Sequence, residues 1–297
     1  MALLNQGLSG THVAYCGDIT KTLETAALEC QTFCQFFLGS PKSYRRDRVT
    51  VEDLNNLQNS PILKRFPMAW CTHAPYMMSL TGYGGKLAWG DDPTATTVLQ
   101  TKVVPNLRQE LSDVYAAGGI GVVVHPGSYG PKTAEYNSCR EGLLGVARTL
   151  ETMDIQQGCV LLENSAGEGS KLPKSLEDFR VILDALPATV LDHVGLCIDT
   201  AHLQGVGQYD LSTHQGVDAL FACLESLGLP LKLIHYNDSK ICLGGRRDLH
   251  EAPGFGEIWS RSRDVARYFT AMCHRRNVPF VVECAKDTVC WETILPC

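Results

Sequence analysis

The sequence of 297 residues predicts an α/β protein, a single (β/α)8 (TIM) barrel domain spanning residues 1–297. Eight short apolar runs recur along the chain, and longer amphipathic stretches separate them. Apolar runs without polar alternation are typical of parallel strands that are covered on both faces. Eight such strands alternating with helices over about 300 residues is the pattern of this barrel. A doubly wound open sheet is disfavoured because no glycine-rich phosphate turn follows the first run.

The predicted strands each centre on one apolar run. They are His12–Cys16, Phe33–Leu38, Met68–His73, Ile120–His125, Cys159–Glu163, Val194–Asp199, Leu231–Tyr236 and Pro279–Glu283. The predicted helices carry apolar residues at helical spacing, and some open with a capping residue. They are Asp18–Glu29, Thr94–Ala116, Ser138–Met153, Ser175–Leu186, Gln215–Ser226 and Ser260–Arg275. Neither a linker nor an internal repeat divides the chain, so one domain is expected.

Composition restricts the class of protein. Hydrophobic residues make up 44% and charged residues 20%, which excludes a disordered or fibrous chain. No stretch approaches the roughly 18 apolar residues of a membrane span, and the N-terminus lacks the basic region of a secretory signal. The thirteen cysteines are odd in number and include no CxxC pair. We therefore expect an intracellular protein with free thiols in a reducing compartment, either nucleus or cytoplasm.

Histidine or carboxylate side chains stand at the ends of six consecutive predicted strands. Because the C-terminal ends of barrel strands face one basin, these side chains are expected to converge there. Three further candidates follow at close spacing, one of them in Asp199-Thr-Ala-His202 and two in Asp248-Leu-His250. The nine candidates are His73, His125, Glu163, Asp199, His202, His235, Asp248, His250 and Glu283.

Taken singly, each of these residues is explained as a hydrogen-bonded loop residue or a helix cap. Taken together, they would carry desolvation penalties of about 1–3 kcal/mol each unless something satisfies them. A mixed set of histidines and carboxylates is what zinc accepts, and a catalytic zinc uses about three protein ligands. The nine candidates therefore predict three metal ions.

Three long motifs carry a resemblance to a known family. They are Leu162–Ser170 (LENSAGEGS), Cys197–His202 (CIDTAH) continuing to Tyr209–Leu211, and His235–Lys240 (HYNDSK) continuing through Gly244–Glu251. Shorter matches are Thr11–Val13, Phe36–Tyr44, His73–Tyr76, His125–Gly127 and Val281–Glu283. In this order, over essentially the whole chain, the sequence resembles the endonuclease IV family of zinc-dependent apurinic/apyrimidinic (AP) endonucleases.

The resemblance implies a trinuclear zinc centre. His73, His125 and Glu163 would hold the first ion, and Asp199, His235 and Glu283 would hold the second together with a bridging Glu163. His202, Asp248 and His250 would hold the third. Glu163 and Glu283 would be the catalytic carboxylates, with Glu283 orienting or deprotonating the attacking water. Zinc would activate that water and clamp the reacting oxygens.

The implied reaction is hydrolysis of the phosphodiester 5′ to an abasic site in double-stranded DNA during base excision repair. It leaves a 3′-hydroxyl and a 5′-deoxyribose phosphate, with a 3′-end-cleaning side activity. A formal net charge of −6 taken alone disfavours a polyanionic partner, but three divalent ions would offset it. We expect a monomer.

Candidate DNA contacts lie on loops of the ligand side. They are Lys42, Tyr44, Arg45, Arg46, Tyr76, Arg246 and Arg247, with Arg48 in the same basic cluster. Such a basic run is ordinarily a solvated face, but its place after the second and seventh strands favours phosphate contact. Lys42 and Tyr44 stand where relatives often carry Arg and Trp, and Pro75 and Ala201 replace a commoner Ser and Cys.

Two rival functions remain open. A metal-dependent sugar isomerase or epimerase on the same barrel would need fewer metal ligands and no basic loop. A non-catalytic DNA-binding relative would have no reason to retain all nine ligand types. The number of bound metal ions separates the first rival from the nuclease, and turnover separates the second.

Overall fold

Eight parallel strands close into a barrel in this computed structural model, which describes residues 7–81, 98–129, 139–284 and 291–295. The strands are β1 (Ser9–His12), β2 (Phe33–Phe36), β3 (Ala69–His73), β4 (Val122–Val124), β5 (Val160–Glu163), β6 (Val194–Asp199), β7 (Leu231–His235) and β8 (Phe280–Val282). They follow one another around the barrel in chain order, and Thr11 of β1 pairs with both Cys34 of β2 and Val282 of β8. The predicted barrel is confirmed.

Most residues of the barrel strands are buried, on the inner as well as on the outer face, which explains the apolar runs in the sequence. An inner cluster fills the barrel and consists of Phe33, Cys71, Val123, Leu161, Cys197, Leu233 and Val281. A larger outer cluster packs the strands against the helices. Because the interior is filled with side chains, polar groups collect at the C-terminal rim of the barrel.

Helices cover the outside of the barrel. They are α1 (Ile19–Leu28), α2 (Val51–Asn59), α3 (Pro61–Arg65), α4 (Val104–Ala116, preceded by a π-helical turn at Leu99–Val103), α5 (Cys139–Thr152), α6 (Leu176–Asp184), α7 (Ala188–Leu191), α8 (Thr200–Val206), α9 (His214–Ser226), α10 (Arg263–Arg275) and α11 (Trp291–Ile294). Two short ribbons pair Gly127–Ser128 with Lys171–Leu172 and Asp238–Ser239 with His250–Glu251.

All six predicted helices are found in the described residues. Five of them have shorter bounds, and α9 begins one residue earlier than predicted, at His214; residues 94–97 and 138 of two predictions lie outside the described residues. Asp18 caps α1 by accepting a hydrogen bond from the Lys21 amide, and Ser175 and Asp178 form a capping box on α6. No helix in the described part of the chain is long and apolar enough to cross a bilayer.

The predicted first strand is wrong. The strand is Ser9–His12 rather than His12–Cys16, and after His12 the chain leaves the sheet, where the Cys16 amide donates to Thr22 Oγ1. Gly10 explains the error, because a Cβ at this position would overlap the Phe33 carbonyl oxygen. The close approach of β1 and β2 demands glycine, which contributes no apolar signal.

Helices α2 and α3 were not predicted. Thr50 and Asp53 form a capping box on α2, and Pro61 occupies the first turn of α3. Neither helix has a buried residue, and in α2 only Val51, Leu54 and Leu57 are apolar, so the apolar signal of these helices is weak. Their capping residues were the available signal.

Candidate metal centre

The nine predicted ligand residues meet at the C-terminal rim of the barrel. Four of them end strands (His73, Glu163, Asp199 and His235), while His125 and Glu283 follow β4 and β8 directly. The remaining three are His202 on α8 and the pair Asp248 and His250 on the loop after β7. Most of the nine line a cavity of ≈ 380 Å³, and Asp199 and His235 lie fully buried beneath it.

Glu163 occupies the centre of the cluster, with one carboxylate oxygen directed to each side. Its Oε2 lies 3.3 Å from His73 Nε2 and 3.4 Å from His125 Nδ1. Its Oε1 lies 3.0 Å from His235 Nδ1. The carboxylate therefore separates two groups of potential ligands and belongs to both.

A second group lies beside Glu163 and contains Asp199, His235 and Glu283. The side-chain amide of Asn237 holds the carboxylates of Asp199 and Glu283 in place. It donates to Asp199 Oδ2 at 2.6 Å and to Glu283 Oε2 at 3.0 Å. The Glu283 amide donates in return to Asn237 Oδ1. Asn237 thus fixes the separation of the two acidic groups.

The third group gathers around Asp248. Its Oδ1 lies 3.0 Å from His250 Nε2 and its Oδ2 lies 3.3 Å from His202 Nε2. Asp199 also approaches this group, since its Oδ2 lies 3.5 Å from His250 Nε2. Potential ligand atoms of Asp199, His202 and His250 all lie within 4.8 Å of one another, as do those of the first and second groups.

Backbone carbonyls set the tautomers of two histidines. His73 Nδ1 lies 2.7 Å from the Ala74 carbonyl oxygen, and His202 Nδ1 lies 2.8 Å from that of Asn164. A carbonyl only accepts, so both Nδ1 atoms carry a proton, and Nε2 of each ring is the nitrogen that can bind a cation beside a carboxylate. Nε2 of His202 and of His250 is buried without a hydrogen-bond partner. A cation between nitrogen and carboxylate satisfies this arrangement, so the residues fit a metal.

The charges in the cluster favour cations. Burial would lower the pKa of His202, but Asp199, Asp248 and Glu163 outweigh it and raise the pKa to about 10. Burial is likewise outweighed at His250, where Asp199 and Asp248 raise the pKa to about 9. Burial opposes ionisation of Glu283, yet His235 and His250 bring its pKa down to about 2. The carboxylates of the cluster thus favour positive charge on the neighbouring histidines, and a metal ion that replaces those protons supplies the same charge.

The predicted DNA contacts lie at the rim, with one exception. Lys42, Arg45, Arg246 and Arg247 are exposed, and Tyr76 is 65% exposed beside the cavity. The Tyr76 ring packs edge-on against Phe37, at 5.4 Å between centroids. Tyr44 is half-buried and donates its hydroxyl to the Met77 carbonyl. Arg48 is exposed as well, and it pairs with Asp113 of α4.

Arg46 is the exception, and its prediction as a DNA contact is wrong. Its side chain is buried, with Nε 2.9 Å from Glu110 Oε2 on α4. Its Nη1 donates to the Ser40 carbonyl at 2.9 Å. Four basic residues stand close together in the sequence, and which of them turns inward depends on a partner 64 positions away.

Four residues of the site were missed by the sequence analysis: His12, Gln35, Asn164 and Asn237. His12 ends β1 and lines the cavity, while Gln35 interrupts the apolar run of β2. Asn164 and Asn237 lie close behind two strand ends, and the Asn164 side chain accepts from the Asp199 amide. A buried polar residue within or just beyond a strand was the signal that could have identified them.

Residues 26–289 match the family model of the xylose isomerase-like TIM barrel. A protein of Aquifex aeolicus (strain VF5) named "Probable endonuclease 4" is 32% identical over 257 residues, which cover 84% of this chain and 83% of that protein. The chain belongs to the endonuclease IV family.

Solved structures agree with this membership at the level of fold. The endonuclease IV of Thermus thermophilus superposes with a TM-score of 0.73 at 24% identity, covering 96% of this chain and 95% of the other. A D-tagatose 3-epimerase-like protein superposes with a TM-score of 0.62 at 15% identity, covering 93% and 90%. An endonuclease IV and an epimerase-like protein therefore share this barrel, so the fold alone does not decide the function and the side chains of the site must do so.

Proposed function

We propose that this endonuclease IV family member is a DNA-repair hydrolase that cleaves the phosphodiester 5′ to abasic sites in duplex DNA. The products are a 3′-hydroxyl and a 5′-deoxyribose phosphate. The observation that carries the proposal is the third ligand group, His202, Asp248 and His250, beside the two groups that share Glu163. Nine ligands in three groups exceed what one or two metal ions need.

We assign the nine residues to three zinc ions. His73, His125 and Glu163 hold the first, and Glu163, Asp199, His235 and Glu283 hold the second. His202, Asp248 and His250 hold the third. The two oxygens of Glu163 already face different histidines, at 3.3 and 3.0 Å, which supports the bridging role.

The chain's own groups prepare the reaction. Zinc, when bound, would supply Lewis acidity towards the phosphate and lower the pKa of water to about 7, so that hydroxide is available at neutral pH. Glu283 orients the attacking water, because Gln35 and Asn237 each donate to one of its oxygens at 3.0 Å and fix its position. Because Glu283 is already held in position, no free energy has to be spent on reorienting its carboxylate during the reaction.

Rim residues provide the contact with duplex DNA. Lys42, Arg45, Arg246 and Arg247 are exposed cations near the cavity and bind backbone phosphates, which position the substrate without reading sequence. Tyr76 presents an exposed ring beside His125, at 6.3 Å between centroids. This ring stacks in the gap that a missing base leaves.

The epimerase alternative explains less of the site. An epimerase would have no use for the Asp248 and His250 pair or for exposed arginines around the cavity. A non-catalytic relative would not need histidines whose bare nitrogens face carboxylates. The nuclease assignment accounts for both features.

Incision of a defined duplex tests the proposal. A 5′-labelled duplex with a single tetrahydrofuran residue, an abasic analogue, is incubated with the zinc-loaded protein, and an identical undamaged duplex serves as control. We expect incision at the analogue alone, with a 3′ end that a DNA polymerase extends directly. Absence of incision, together with epimerisation of a ketose, would overturn the proposal in favour of the rival.

A further inference from the structure

Gln35 links three functional groups beneath the cavity. It lies fully buried on β2. Its Nε2 lies 3.0 Å from Glu283 Oε1 and 3.0 Å from His12 Nδ1. Its Oε1 lies 2.9 Å from His235 Nε2.

The chemistry of Glu283 fixes the orientation of this amide. An ionised carboxylate only accepts hydrogen bonds, so the atom of Gln35 that faces Glu283 is the amide nitrogen. The amide oxygen then faces His235, which must carry its proton on Nε2 and leave Nδ1 bare towards the ligand cluster. The second N–H of Gln35 points to His12, whose Nδ1 accepts it.

His12 is therefore held with its proton on Nε2. Such a ring cannot bind a metal, because Nδ1 accepts from Gln35 and Nε2 has no free lone pair. His12 nevertheless lines the same cavity as the ligands, with its side chain 17% exposed and its ring 4.7 Å from Phe37 between centroids. The N–H of Nε2 is then the donor that His12 can offer to this cavity, whose lining also includes the carboxylates of Glu163, Asp248 and Glu283.

We propose that His12 is a catalytic residue whose Nε2–H donates to an oxygen of the scissile phosphodiester, and that Gln35 is the positioning residue that holds this tautomer. The inference rests on the proposed phosphodiesterase function. Phosphate oxygens are acceptors, and a neutral donor binds them without adding a cation that would compete with metal. Glu283, which orients the water, lies 3.9 Å from His12 Nδ1, so both groups act at the same reacting centre.

Two substitutions of His12 test the donor. His12→Phe keeps an aromatic ring against Phe37 and removes the donor, while His12→Gln keeps an amide N–H near the Nε2 position. Single-turnover cleavage at saturating abasic duplex should fall about tenfold to a hundredfold in His12→Phe, as for loss of a hydrogen bond to a charged group. His12→Gln should recover most of that loss, and both variants should keep the zinc content of the wild type.

The matched control is His214→Gln on α9, an exposed histidine outside the cavity. It should leave cleavage and zinc content unchanged. Wild-type cleavage by His12→Phe would overturn the donor role. Loss of zinc from either His12 variant, with the control intact, would show that His12 supports the metal centre instead and would overturn it too.

A spectroscopic measurement tests the positioning step independently of activity. Ring nitrogen chemical shifts of 15N-histidine-labelled, zinc-loaded protein at neutral pH should show His12 protonated on Nε2 alone. In Gln35→Met, which cannot hydrogen-bond to the ring, His12 should become a mixture of tautomers. A His12 protonated on Nδ1 in the wild type would contradict the inference even if the protein cleaves abasic DNA. Failure to cleave with the expected tautomer present would instead contradict the proposed function.

Discussion

Arg46 Nε lies 2.9 Å from Glu110 Oε2, with both side chains buried. The other oxygen of Glu110 accepts from Thr72 on β3 at 2.7 Å, and the guanidinium also donates to the Ser40 carbonyl. This pair therefore fastens the loop after β2 to α4 and to the barrel wall. The same loop presents Lys42 and Arg45 to solvent, so a buried ion pair holds the proposed DNA contacts in place.

Replacing Arg46 should destabilise the protein. Arg46→Met leaves the Glu110 carboxylate buried without a cation, which costs about 3–5 kcal/mol. Denaturant unfolding followed by circular dichroism measures the change. The double substitution Arg46→Met/Glu110→Gln should recover much of the loss, because it removes both charges. Arg45→Met, at the exposed neighbour, should stay within about 0.5 kcal/mol of wild type. A fully stable Arg46→Met protein would contradict the buried pair.

Arg45 and Arg247 should hold DNA without taking part in chemistry. Changing either residue to Ala should raise KM for abasic duplex and reduce the slope of log K against log salt by about 0.9 for each phosphate that the variant no longer binds. Single-turnover cleavage at saturating DNA should change little. Lys232→Ala is the matched control, because Lys232 is exposed at the opposite end of β7. An unchanged salt slope in both arginine variants would mean that these arginines are merely solvated.

Glu163→Gln should abolish cleavage while DNA binding survives in part, which is the reverse of the effect expected for the arginine variants. The amide cannot bridge two ligand groups as the carboxylate does, so zinc content should drop and cleavage should fall to background. Binding of abasic duplex should survive in part because the rim cations remain. Elemental analysis, a cleavage assay and a DNA-binding titration separate the three quantities. Glu177→Gln, at an exposed position on α6, is the isosteric control and should match wild type. A Glu163→Gln protein with the zinc content of the wild type would refute the bridging role of Glu163.

The cysteines should be free thiols of unequal reactivity. All eleven in the described residues are unpaired. Cys16, Cys30 and Cys242 are exposed and should react first with a thiol reagent under native conditions. Burial raises the pKa of Cys34 and of Cys197 to about 12, so these two should react only after unfolding. Titration under denaturing, non-reducing conditions should find most of the thirteen free, whereas six disulfides would refute the expected reducing compartment.

Much of the candidate site could be predicted because barrel geometry converts sequence position into location. His73, Glu163, Asp199 and His235 each end a strand, and parallel strands deliver their final residues to one rim. The close spacing of Asp248 and His250 then placed two more ligands together. The convergence of all nine side chains follows from these local rules and the predicted fold.

The remaining features depend on tertiary partners that a single sequence does not reveal. Arg46 has the same local signal as Arg45, and only Glu110 on a distant helix makes one buried and the other exposed. Gly10 belongs to a strand because of a close approach to Phe33, not because of its own propensity. Gln35 acquires its role from Glu283 and His12, which lie at the ends of two other strands.

The number of zinc ions per chain tests the central claim most directly. Elemental analysis of protein purified without chelators, with protein concentration determined by amino-acid analysis, gives this number. Three ligand groups around Glu163 and Asp248 predict a value close to three, and stepwise chelation should remove cleavage activity along with the metal. A stable and fully active preparation that holds a single metal ion would contradict the trinuclear centre.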